Sequence, residues 1–130
     1  MLNHLVVLAV AHELTGRHEH LDAAARGLDY LLGCNALGQS YVTGYGADFT
    51  RHQRTRHFAH DLDPSFPPPP PGALAGGPTS KEYPGFPSDP RVAGLPPQRR
   101  YLDESTSETT NDVCIRWNAP LVWMAVFLTP

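Results

Sequence analysis

The sequence has no long hydrophobic run, no excess of basic charge and no cysteine pair at metal-binding spacing. A membrane-spanning helix needs about 20 predominantly apolar residues, and no stretch here reaches that length. The formal charge is −3, from 13 acidic and 10 basic residues, which excludes the electrostatic footprint of a nucleic-acid binder. The one basic cluster, Arg51, Arg54 and Arg56 with His52 and His57, is too short for a polybasic tail. Cys34 and Cys114 lie far apart, belong to no C-x-x-C motif and read as buried free thiols. The seven histidines, at positions 4, 12, 18, 20, 52, 57 and 60, offer no closed metal-ligand set, and nothing in the reading calls for a cofactor.

What the chain does have in quantity is proline and glycine. Its 14 Pro and 11 Gly make up close to a fifth of the 130 residues, and most of the prolines fall between Pro64 and Pro97. The length suits one domain, but the distribution suggests two regular ends joined by a long irregular middle. A structureless stretch of that size inside a compact domain is usually functional or packed on something else.

The ends read as helices. From Leu2 to Leu14 the chain is apolar almost all round between Leu5 and Ala11, so this helix wants cover on more than one side. The same run merges into Glu13 and Leu14 at helical spacing and follows no basic residue, which favours a buried helix over a signal peptide. Gly16 is a natural stop. From His20 to Leu32, residues Leu21, Ala24, Ala25, Leu28, Leu31 and Leu32 follow the i, i+3, i+4, i+7 pattern, and Gly33 ends it. These two segments predict a helical hairpin over residues 2–33. Residues 34–110 sustain neither helical nor strand periodicity. Ser40 to Thr43 is a short extended piece broken by Gly44 and Gly46, and Pro67 to Pro71 is stiff polyproline. The final segment, residues 111–128, is apolar and aromatic, with Pro120 inside it. Either the helix kinks there, or Asn118 caps a new helix with Pro in its first turn. The fold class is all-α, with more apolar surface on its helices than the chain itself can cover.

Candidate chemistry gathers in the long loop and at the start of the last helix. Arg54-Thr55-Arg56-His57 follows the run Ser40 to Gly46, and Asp103, Glu104, Glu108 and Asp112 form a carboxylate cluster leading into an apolar helix. A carboxyl at the rim of such a helix can act as a general acid, Arg and His can bond hydroxyl-rich ligands, and Tyr and Trp can stack on sugar rings. The same acids also suit a helix start for reasons of dipole and capping alone.

The segments Tyr30 to Gly46, Pro71 to Pro78, Tyr101-Leu102-Asp103 with Thr110-Asn111-Asp112-Val113, and Trp117-Asn118-Ala119-Pro120-Leu121 resemble, in order, the active-site signatures of the family 9 glycoside hydrolases, the cellulase type. The proline-rich stretch from Phe58 to Pro71 resembles actinobacterial members in particular. The resemblance implies an (α/α)6 barrel, of which this chain would be roughly the last quarter, and inverting hydrolysis of β-1,4-glucosidic bonds in cellulose or a related β-glucan. In that chemistry one carboxylic acid protonates the leaving oxygen while a second carboxylate activates water on the opposite face. The resemblance places the catalytic residues at Asp112, the acid, where the family has Glu, and at Asp103, the second signature's Asp. It assigns substrate binding to Arg56, to Arg54 at the position of the signature His, to neighbouring His57 and to Tyr45. Asn118 and Ala119 fit the pattern, whereas Glu108 stands where the family has an aromatic residue. The family's base, in an Asp-Ala-Gly-Asp motif, has no counterpart in these 130 residues.

The expectation is therefore a cellulase-type module lacking its base and the rest of its barrel, and inactive by itself. The parent enzyme would be secreted, because its substrate is a polymer. The alternatives are a non-catalytic remnant that binds glucan through Tyr41, Tyr45, Tyr101, Arg56 and Asp103, and a structural or metal module built on the histidines.

Overall fold

The computed structural model describes residues 1–55, 57–80 and 89–129. Two helices, α1 (Leu2–Thr15) and α2 (His18–Leu31), form the hairpin at one end. Three more follow: the single turns α3 (Pro90–Ala93) and α4 (Glu108–Asn111), and the long α5 (Ile115–Phe127). No strand occurs among the described residues, only isolated β-bridges, so the chain is all-α. None of these helices is long and apolar enough to cross a membrane.

The hairpin forms where the apolar spacing places it. Gly16 stops α1 in the left-handed conformation at φ 67°, its N–H bonded to the His12 carbonyl at 2.7 Å. Leu2, Leu5 and Ala9 are buried on one face of α1, and Ala24 and Leu31 on the facing side of α2. The helices approach closely at Gly27, where a Cβ would lie 2.3 Å from a Leu5 methyl. Helix α1 also packs on α5, whose Leu121 and Met124 complete the core with Tyr41, Leu74 and Tyr101.

That core uses one side of each outer helix. Val7 and Leu14 of α1 are 65% and 81% exposed, and Val122 and Val126 of α5 are 64% and 71% exposed. The uncovered apolar stripes are what an all-round apolar α1 required.

Two features depart from the sequence reading. Helix α5 begins at Ile115 rather than Asn111, because Asp112 and Cys114 are extended. Their backbone is committed sideways: Ala75 bridges Val113, and the Gly76 N–H donates to the Asp112 carbonyl at 2.9 Å. One helix then runs through Pro120, and the Asn118 side chain bonds to Leu74 instead of capping a new start. The cysteines are free but not buried. Cys34 is exposed in the turn after α2, and Cys114 is half-buried at the N-cap of α5, where its Sγ accepts the Arg116 N–H.

Candidate functional site

Three loop segments, residues 40–55, 72–77 and 101–113, are laced together on the end of α5. Val42 bridges Leu74, Ala75 bridges Val113, and Arg54 bridges Asp112. Buried Gln53 reinforces the lacing, donating from Nε2 to the carbonyls of Ala73 at 2.9 Å and Tyr41 at 3.3 Å. Gly44 and Gly46 turn the chain at φ 79° and 94°, and a side chain at Gly46 would meet the Leu32 carbonyl at 2.9 Å.

Asp103 is the anchor of the first segment. Its carboxylate accepts the backbone N–H of Arg51 at 2.8 Å and of His52 at 3.0 Å, the Thr50 hydroxyl, and the Asn111 amide at 3.1 Å. Asn111 is fully buried. Its Oδ1 accepts the Tyr101 hydroxyl at 2.7 Å, and its Nδ2 also donates to the His52 carbonyl at 2.7 Å. Burial is the main cause that pushes the Tyr101 phenol well above the ordinary tyrosine range, and the charge of Asp103 adds to it. The network fixes the course of residues 50–53 and so delivers Arg54 to its place.

Beside this network lies a cleft of about 690 Å³. It is lined by Asp112, Glu108, Trp117 and Gly76 with Arg54 and Thr55, and by Leu62, Asp63 and Phe66 from the segment before the prolines. Asp112 is exposed here. The Arg54 guanidinium forms an ion pair with Glu108, both side chains being a little over one-third exposed. A smaller depression of about 290 Å³ lies beside it, lined by Asp103, His52, Asp61 and Ser105. Within it His52 pairs with Asp61, and the Ser105 hydroxyl donates to the His52 carbonyl at 2.9 Å.

The residues expected at the site are thus distributed unevenly. Asp112 and Arg54 share the larger cleft, while Asp103 faces the smaller depression, one network away. His57 and Tyr45 are exposed and line neither cavity. Arg56 lies outside the described residues. Sequence reasoning did not anticipate the wall built by Phe66 and Leu62, nor the roles of Thr50 and Asn111, whose contacts span 53 and 59 positions of sequence. It also treated Arg54 and Glu108 as two separate departures from the family pattern, when they are partners in space.

The family model for glycosyl hydrolase family 9 matches residues 1–125. Endoglucanase C of Cellulomonas fimi is 47% identical over 95% of this chain, a match that covers 11% of that protein. The solved structure of Bacteroides ovatus GH9 superposes with a TM-score of 0.75 at 35% identity, over 98% of this chain and 20% of that one. The structure of AaCel9A in complex with cellobiose-like isofagomine superposes with a TM-score of 0.73 at 32% identity, over 98% of this chain and 24% of that one. The chain therefore spans between about a tenth and a quarter of the length of these relatives, and it aligns with part of an (α/α)6 barrel. By the extent of the family match and by its structural likeness, the chain belongs to glycosyl hydrolase family 9.

Proposed function

We propose that this chain supplies the proton-donor side of a site that hydrolyses β-1,4-glucosidic bonds in cellulose or a related β-glucan. Asp112 is the donor, and the remaining barrel helices supply the base. The observation that carries the reading is the position of Asp112, exposed on the wall of a 690 Å³ cleft beside the indole of Trp117. A proton donor must reach the leaving oxygen, and an aromatic face beside it offers a stacking surface for a sugar ring.

The other residues serve that wall. Trp117 is held by its Nε1–H, which donates to the Leu74 carbonyl at 3.1 Å. Asp103, through the amides of Arg51 and His52, sets the path of the loop that carries Arg54. In an inverting mechanism the second carboxylate stands roughly 6.5–9.5 Å from the acid, with water between them. Without the base, the cleft binds glucan and the reaction stops there. The bound cellobiose-like ligand of AaCel9A supports a β-glucan as the occupant. A polymer of that kind places the working enzyme outside the cell.

The test is a reducing-sugar assay on the purified chain with carboxymethylcellulose, alongside calorimetric titration with cello-oligosaccharides. The expected result is weak binding with no sugar released. Clear turnover abolished by Asp112→Ala would show that the chain needs no second half. Binding undiminished by Trp117→Ala would remove the cleft from the reading.

A further inference from the structure

The geometry points to Glu108 as a positioning residue that holds the Arg54 guanidinium away from the Asp112 carboxyl. The inference rests on the reading of Asp112 as the proton donor. Arg54 and Asp112 are partners in a parallel β-bridge, with the Arg54 N–H donating to the Asn111 carbonyl at 3.1 Å. Partners in such a bridge project their side chains to the same side from backbones about 4.8 Å apart. An arginine placed there has a carboxylate within easy reach at Asp112. It pairs with Glu108 instead, one helical turn before Asp112 in the sequence.

Two acids thus compete for one guanidinium, and Glu108 has it. No described residue pairs with or donates to the Asp112 side chain. Among the described residues, the charged groups that line the cleft with Asp112 are Arg54 from the first loop segment, Glu108 from α4 and Asp63 from the segment before the prolines; α5 contributes the neutral Trp117. Asp63 cannot replace Glu108 in this role, because its carboxylate accepts the Ser65 N–H at 2.9 Å and is directed to its own turn.

The chemical consequence is specific. A guanidinium against a carboxyl favours the ionised form, and a proton donor must keep its proton until the leaving oxygen arrives. Glu108 offsets the charge of Arg54 and takes its Nη1 donor, so the guanidinium is drawn toward Glu108 and the side chain of Asp112 stays available to substrate. Two of the three positions at which this chain departs from the family signature, Arg54 and Glu108, thus act as one unit beside the third, Asp112.

Neither measurement that tests this depends on turnover, so an inactive chain leaves the test intact. The first compares thermal unfolding of the full chain with Glu108→Gln, Asp112→Asn and the double variant. While Glu108 holds Arg54, Asp112→Asn should shift the midpoint by less than about 1 °C. Once Glu108→Gln frees Arg54 to pair with Asp112, the same substitution should cost roughly 1–5 °C. The second follows the carboxyl carbon resonance of Asp112 in aspartate-labelled chain at neutral pH. It should move in Glu108→Gln, stay put in Glu108→Asp, which keeps the charge, and return in Glu108→Gln combined with Arg54→Met. Equal effects of Asp112→Asn in both backgrounds, with an unmoved resonance, would overturn the inference. Failure here while added cello-oligosaccharide still moved the Asp112 resonance would leave the reading of Asp112 as the substrate-facing acid standing.

Discussion

Asn118 grips both polar groups of Leu74: its Oδ1 accepts the Leu74 N–H at 2.9 Å, and its Nδ2 donates to the Leu74 carbonyl at 3.1 Å. The same Nδ2 reaches the Cys114 carbonyl at 3.0 Å. One side chain therefore pins the 72–77 loop to α5 as a backbone strand would. Asn118→Ala leaves the Leu74 N–H without its partner, while the Leu74 carbonyl keeps the Trp117 Nε1–H, at a cost of about 1–3 kcal/mol for the unmet donor. Urea unfolding should show that loss, and Asn118→Asp should show a similar one, because it sets an acceptor against the Leu74 carbonyl. An unchanged midpoint in both would mean that packing alone docks the loop.

Asp103→Asn should be equally telling. The carboxylate accepts from two amides, a hydroxyl and a side-chain amide, and an Asn at this place turns one acceptor oxygen into a donor facing donors. The expected loss is about 1–3 kcal/mol. The local sign is faster proteolytic cleavage between Thr50 and Arg54, while the α1–α2 hairpin stays protected.

Gly27→Ala tests the helix contact. Alanine raises helix propensity by about 1 kcal/mol over glycine, but its methyl would fall on the Leu5 side chain, with contacts of 2.3, 2.8 and 3.1 Å. Overpacking of about 1–3 kcal/mol outweighs the gain, so the variant should melt lower. In a Leu5→Ala background the same substitution should become neutral or stabilising, since the obstacle is gone.

Acid should loosen the chain first around α3. Asp89 caps α3 through the Arg91 N–H at 2.8 Å, and the Arg91 side chain spans Asp89 and Glu104. The hydrogen bond from that guanidinium is the largest cause holding the Asp89 carboxyl at about 2, below its ordinary 3.8. Glu104 is lowered by the same partner. A carboxyl lowered on folding stabilises the fold above its unfolded value and loses that contribution as pH falls toward its folded value. The change belongs between about pH 4 and pH 2. Because these groups are exposed, the effect is local: amide resonances of residues 91–95 should broaden or shift in that window, and Arg91→Ala, which keeps the backbone cap but loses the guanidinium, should move the transition to higher pH.

The uncovered stripes on α1 and α5 should bind a hydrophobic dye in the native state. Val126→Lys places a charge on a residue that is 71% exposed, so it should dim the dye while leaving the unfolding midpoint within about 0.5 kcal/mol of wild type. Dye fluorescence unaffected by that change would locate the binding surface elsewhere.

How far the sequence spoke for the structure followed the distance over which each feature is determined. The hairpin was legible because periodicity and the stops at Gly16 and Gly33 act within a turn or two of helix. The signatures around Asp103, Asp112 and Asn118 were legible as resemblance. The extended run from Asp112 to Cys114 was not, because it is held by the Gly76 N–H and by bridges to Ala75 and Arg54, and no local pattern announces them. The same holds for Thr50 and Asn111, polar residues that look like caps or turns until the network around Asp103 encloses them. Composition also misled at the cysteines. Their usual burial is a statistical habit, and both stand at helix ends where the backbone, rather than the core, decides where they sit.

The lacing of the site has a kinetic side. The hairpin closes over a handful of residues, whereas Thr50 meets Asn111 across 61 positions and Arg54 meets Glu108 across 54. Contacts that must close long loops before they are rewarded form late. With few apolar anchors outside Tyr41, Leu74 and Tyr101, they are also the first to part. By this measure the cleft assembles after the hairpin and opens before it. A ligand that bridges its walls would slow its opening more than it would slow that of the helices.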